Sequence, residues 1–185
     1  LYGAYNPTRY EVGPGKAYDS TGWDGSTAGP GPIQSAIDAA VAAGGPSLIV
    51  VYPGDPTPFN PTGSYFENVV LHGPVKLQGV GPGGQRDADG VTVPGTYLDG
   101  RAVGGDSSYG LWWTTWVFGQ LWAGGTGWDG TLTDGDGLPI LSEGSVITVL
   151  AKAGEFAGQG ARVDGFTIEG GDQQGFPTNI NLIGG

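Results

Sequence analysis

PIQSAIDAAVAAGGPSLIVVYPG, residues 32–54, changes its hydrophobic period halfway along. Ile33, Ile37, Ala40 and Val41 recur at helical spacing, and Gly44-Gly45-Pro46 stops the run, which predicts a helix over about 33–43. Its density of alanine suits a helix packed closely on something flat. From residue 47 the pattern becomes SLIVVY, a short β-branched run closed by Pro-Gly, which predicts a strand. A helix is thus followed at once by a strand, and no second helical period of comparable clarity appears downstream.

The rest of the chain repeats the second half of that stretch. Strands are expected over 65–71 (YFENVVL), 75–80 (VKLQGV), 91–98 (VTVPGTYL), 145–150 (SVITVL), 161–168 (ARVDGFTI) and 179–183 (NINLI). Residues 1–31 read as an extended, turn-rich segment, and 32–185 as one domain interrupted by an insertion over about 101–144. Strands this short, with turns but no helices between them, exclude a doubly wound α/β sheet and leave a sandwich, a barrel or a solenoid. The endings of VKLQGVGPGG, TYLDGR and VDGFTIEGG favour the solenoid. Each places one or two apolar residues before a glycine and a polar turn, as each coil of a parallel β-helix requires.

The succession of residues 32–54, then YFENVVLHGPVKLQGVG, then TYLDG, resembles the N-terminal part of the pectate-lyase-like superfamily of right-handed parallel β-helix proteins. A segment similar to that family's Y-x-E-N-V lies at 65–69, and VDGFTIEGGDQQG resembles a further coil. The resemblance covers roughly residues 32–100 and 145–185. It implies an all-β, right-handed parallel β-helix with a short N-terminal capping helix and a Trp-rich insertion. It implies no particular function, because such a fold carries lyases, hydrolases, adhesins and scaffolds.

A β-helix exposes apolar core at each end of its stack, so an uncovered end invites association. The helix at 33–43 is expected to cover one end, whereas NINLIGG stops where a coil should continue. The expected partner is therefore another chain, or the C-terminal remainder of the same protein, completing the β-helix after Gly185. Leu1 reads as a processed terminus, since the chain contains no Met.

Composition narrows the chemistry. The 185 residues include 39 glycines and 14 prolines, a level at which disorder has to be weighed, but the 38% of apolar residues and only 14% of charged ones favour a turn-rich fold. Seven basic against eighteen acidic residues give a net charge of -11, which disfavours nucleic acid and anionic membrane surfaces. The absence of Cys excludes thiol catalysis, disulfides and thiolate metal sites. Many of the acids are Asp next to Gly, the chemistry of turns.

His72 is the only histidine, so a Ser–His–Asp triad or a His-rich metal site would have to use it, and HGP reads as a turn between strands. Asp87 and Asp89 (RDADG), and Asp134 and Asp136 (TDGDG), have the D-x-D-G form of calcium loops and are the paired-carboxylate candidates for glycoside hydrolysis. Neither pair continues into the remaining ligands of an EF-hand, and turns are the preferred reading. No cofactor is evident, and Ca2+ is the one that these loops admit. Arg86, Arg101 and Arg162 are the bases available to a lyase, but no catalytic residue carries over from the resemblance.

The tryptophans are the remaining feature. GWDG occurs twice, around Trp23 and Trp128. The stretch YGLWWTTWVFGQLW (109–122) holds Trp112, Trp113, Trp116 and Trp122. It is too short and too polar to span a bilayer. A surface insertion so aromatic has to cover something, and packing on its own domain or on a neighbouring chain is expected ahead of a sugar. The six tryptophans are accordingly the candidate residues for binding a partner or a polysaccharide. Taken together, these readings describe a structural or interaction segment of a secreted or cell-surface protein, the capped N-terminal end of a larger assembly. The alternatives are part of a polysaccharide lyase or glycoside hydrolase, or a carbohydrate-binding module.

Overall fold

The computed structural model describes residues 6–100, 108–110, 112–113, 116, 145–149 and 160–171. Trp122, Trp128, Arg101, Asp134, Asp136, the strand expected at 179–183 and any completion after Gly185 lie outside the described residues. So does most of the insertion at 101–144.

Among the described residues, ten short strands and the helix α1 follow one another as β1 (Thr8–Gly13), β2 (Tyr18–Asp19), α1 (Pro32–Ala43), β3 (Ser47–Val51), β4 (Tyr65–Phe66), β5 (Val69–Leu71), β6 (Val75–Gly79), β7 (Thr96–Asp99), β8 (Ile147–Val149), β9 (Arg162–Asp164) and β10 (Phe166–Glu169). Every strand pairing is parallel. The strands form a five-stranded sheet in the order β2-β1-β3-β6-β9, a three-stranded sheet β10-β7-β4 and a two-stranded sheet β5-β8.

This corrects the expectation of an all-β, right-handed parallel β-helix. The described chain is mixed α/β, with short parallel strands in three small sheets, and no solenoid is detected. The physical reason lies in how β1 and β3 come to be parallel. Parallel neighbours need a crossover connection, and α1 lies on the one that joins them. The helix is part of the core. Its Ile33, Ala36, Ile37 and Ala40 are buried in the same cluster as Val12, Ile49, Val51, Leu71, Leu77 and Leu98 of the strands. Burying Ile33 and Ile37 contributes about 1.5–3 kcal/mol each.

The elements themselves follow local chemistry. Residues Ile49, Val51, Leu77 and Val75 point inward at alternate positions of β3 and β6, which show the same buried–intermediate alternation. α1 starts with Pro32 at its first position and stops at Gly44, whose φ of 68° and N–H bonds to Ala40 and Val41 end the helix. The segment expected as a single strand over 65–71 is two, β4 and β5, broken at Glu67-Asn68. The one expected over 161–168 is likewise divided, at Gly165, where φ is 73°. Of the strand expected at 91–98 only Thr96–Asp99 forms, since residues 91–94 belong to an exposed loop bridged at Arg86 and Thr92.

The break at Glu67-Asn68 is where the molecule is tied together. Glu67 is fully buried, and its carboxylate accepts the N–H groups of Ile33 and Gln34 at 3.1 Å each. It therefore caps α1 from a distant part of the chain, a task that Gly31 at the N-cap position cannot perform. Gly31 has to be glycine, because a Cβ there would collide with the Glu67 carboxyl. Gln34, also buried, uses its amide like an added strand: Oε1 accepts from Val70 N at 2.8 Å and Nε2 donates to Val70 O at 3.2 Å. Asp38 then accepts from Gln34 Nε2 at 2.8 Å and faces His72 Nε2 at 2.9 Å. The single histidine thus pairs with the helix.

Candidate functional site

The described tryptophans divide between packing and a cleft. Residues 108–110, 112–113 and 116 are helical, and Tyr109, Trp113 and Val70 form a second buried cluster. Trp113 is 2% exposed, and its Nε1 donates to Asn68 O at 2.7 Å. Tyr109 Oη accepts from Asn68 N at 2.9 Å. Burial pushes the Tyr109 hydroxyl well above the ordinary phenol range, so it stays protonated. Trp112 and Trp116 lie half-buried against this cluster and stack on each other at 6.0 Å, with His72 edge-on to Trp116 at 5.6 Å.

Trp23 connects that cluster to the cleft. Its ring meets Tyr109 edge-on at 6.0 Å, and its Nε1 donates to Phe66 O at 3.2 Å. Trp23 also lines a cleft of about 330 Å3, together with Ser20, Gly22, Asp24, the loop residues Gly54, Asp55, Thr57, Phe59, Asn60 and Gly63, and Ser64, Tyr65 and Phe66.

The loop at 54–63 is what makes this cleft a built feature. Gly54 and Gly63 touch at its neck. A Cβ on either would strike the other's carbonyl, and Gly63 has a φ of 63°. Thr57 and Asn60 exchange backbone hydrogen bonds at 2.9 and 3.1 Å. The Asn60 side chain accepts from Ser64 N and donates to Ser64 O, both at 2.8 Å. The loop is therefore internally bonded, and it carries Phe59 with its side chain 98% exposed. Gly63→Ala is expected to cost roughly 1–3 kcal/mol, because it forces a side chain into the left-handed region against a backbone carbonyl. Urea denaturation measures this, and an unchanged midpoint would show a slack neck.

The electrostatics of the cleft are one-signed. Asp24 accepts from the Ser26 hydroxyl at 2.6 Å and its N–H at 2.9 Å, and these bonds hold its carboxyl below the usual carboxylate range. Tyr65 lies on the floor, donating to Tyr52 O at 2.7 Å. Burial above all pushes its hydroxyl up to about 12, with the charges of Glu67 and Asp55 adding to the rise. Asp24 and Asp55 are the acidic residues of the cleft, and the described lining contains no Lys, Arg or His.

Asp87 and Asp89, the calcium candidates, form a turn. Asp87 Oδ1 accepts from Asp89 N at 3.0 Å and Val91 N at 2.8 Å, and Gly90 follows with a φ of 77°. Among the described residues no three His, Cys, Asp or Glu side chains converge as metal ligands. Arg86 Nη1 reaches Gly90 O at 3.4 Å, and Arg162 pairs with Asp164 at 2.7 Å. Among the described residues no helix is long and apolar enough to cross a membrane.

Phe59, Asp55 and Asn60 were invisible as site residues in the sequence. The signal was a lone aromatic within DPTPFNPTG, a loop otherwise made of turn formers. No family model, curated protein or solved structure matches this chain.

Proposed function

We propose that the chain is an interaction domain that holds carbohydrate in the cleft between Trp23 and the 54–63 loop. The observation that carries the reading is Phe59: a large apolar ring, 98% exposed, held by an internally bonded loop over a cleft with Trp23, Tyr65 and Phe66 in its lining. A single exposed aromatic is ordinary on a mobile surface, but rigid presentation over further aromatics beside hydroxyl and carboxylate acceptors suits a sugar ring. The ring's apolar face stacks, and its hydroxyls donate to Asp24, Asp55 and Asn60. A polysaccharide is the kind of partner that a secreted or cell-surface protein meets, in keeping with the setting expected from the sequence.

Binding is favoured over catalysis by the state of the carboxyls. A glycosidase acid needs a carboxyl whose proton is held near neutral pH. Asp24 is shifted the opposite way, and Glu67, which is shifted upward, is committed to the end of α1 and is not among the lining residues.

Phe59→Ala is expected to weaken oligosaccharide binding roughly thirtyfold, as loss of a central aromatic anchor does. The thermal midpoint should not move, because the ring packs on nothing. A glycan panel followed by calorimetry on both proteins tests this. Equal affinities for the two, or no binding to any glycan, would refute the reading.

A further inference from the structure

From the charge of the cleft, we infer that its ligand is an amine-bearing sugar, such as an oligomer of an unacetylated amino sugar, in preference to a neutral one, and that uronates and sulfated sugars are excluded. The inference rests on the carbohydrate reading above and adds the ligand's charge to it. Asp24 and Asp55 both line the cleft, and the described lining supplies no cation to neutralise either. Asp24 Oδ1 is occupied by Ser26. The whole chain carries a net charge of -11, so it opposes anions at longer range as well.

An anionic sugar here would face two carboxylates without a counter-charge. An ammonium group meets two acceptors, and because both carboxylates are on exposed side chains the attraction is modest and falls with salt. The aromatic lining adds to the preference, because a cation is drawn to the faces of Trp, Tyr and Phe rings. The stacking of Phe59 is indifferent to ligand charge, so it explains affinity for sugars in general and leaves the discrimination to Asp24 and Asp55.

The test uses amino-sugar, neutral and uronate hexasaccharides, each in α-1,4 and β-1,4 linkage, titrated calorimetrically into the full chain. In one linkage the amino sugar is expected to bind roughly tenfold tighter than the neutral sugar at low salt. The ratio should fall toward one at 0.5 M salt, and the uronate should give no measurable heat. In the double variant Asp24→Asn/Asp55→Asn the amino and neutral sugars are expected to bind alike. The double variant Asp87→Asn/Asp89→Asn, which removes the same charge away from the cleft, should retain the preference.

Equal binding of amino and neutral sugars by the unaltered chain overturns this inference and leaves the carbohydrate reading standing. A preference that survives in Asp24→Asn/Asp55→Asn, or is lost in Asp87→Asn/Asp89→Asn, also overturns it, since it then belongs to the overall charge. Failure of every sugar to bind removes both.

Discussion

Glu67→Gln is expected to abolish a fall in stability that the unaltered chain shows between about pH 5 and pH 8. Burial pushes the Glu67 carboxyl from 4.5 up to about 7, against the lowering pull of its bonds from Ile33 and Gln34. The folded chain therefore binds this proton more tightly than the unfolded one. The resulting stabilisation is complete below the unfolded value of 4.5, declines as pH rises, and is lost through about pH 7. Its size is roughly 3 kcal/mol for a fully buried group. The general repulsion within a chain of net charge -11 also grows with pH, so the informative quantity is the difference between the two proteins. Urea denaturation at pH 5, 6.5 and 8 should show the variant gaining on the unaltered chain by roughly 3 kcal/mol as the pH rises, and parallel curves would sink the argument. Glu67→Ala is expected to cost about 3–5 kcal/mol at pH 5, because it leaves two helix N–H groups buried without an acceptor and opens a cavity.

Removing Trp113 should have an effect of similar size at the other side of the same hub. Trp113→Ala empties a site that is 2% exposed and takes the closer of two donors from a buried carbonyl of Asn68, leaving the Tyr109 hydroxyl at 3.3 Å. A loss of roughly 3–5 kcal/mol is expected. Trp113→Phe keeps most of the ring and loses the Nε1 bond, for a cost of about 1–3 kcal/mol. Both are read from denaturation followed by near-ultraviolet circular dichroism. If Trp113→Ala changes stability by less than about 0.5 kcal/mol, the range of an ordinary surface substitution, the aromatic segment is not docked on β5 as described. Because Trp23 spans from Tyr109 to the cleft, the same variant should also loosen that wall and weaken sugar binding.

These two residues show how much was legible beforehand. Glu67 and Asn68 were read as interior positions of one strand, since YFENVVL is β-rich as a string. Nothing local marks the strand as broken there. The carboxylate of Glu67 acts on residues 33 and 34 positions away, and Asn68 meets aromatics 41 and 45 positions away. Trp113 was read as part of an insertion that packs on its own domain or on a neighbouring chain and as a candidate for binding a partner or a polysaccharide, and the structure buries it against Val70 and the Asn68 carbonyl. Phe59 was overlooked because exposure is a property of the folded surface, and a Phe in a turn-rich loop has the same local signature whether it packs inward or outward.

By itself the sequence determined α1, with its glycine stop, and the apolar runs that became the inner faces of β3 and β6. Those signals arise between residues three or four apart, or alternating along a strand, and need no distant partner. It also determined the charge and the lack of thiol chemistry. The tertiary structure decided that α1 is buried among the strands, which makes the chain mixed α/β where an all-β solenoid was expected. It also decided that a carboxylate caps that helix, and that Asp24, Asp55 and Phe59 share one cleft. Each of these depends on which distant segments are brought into contact, and hydrophobic period alone carries no record of that.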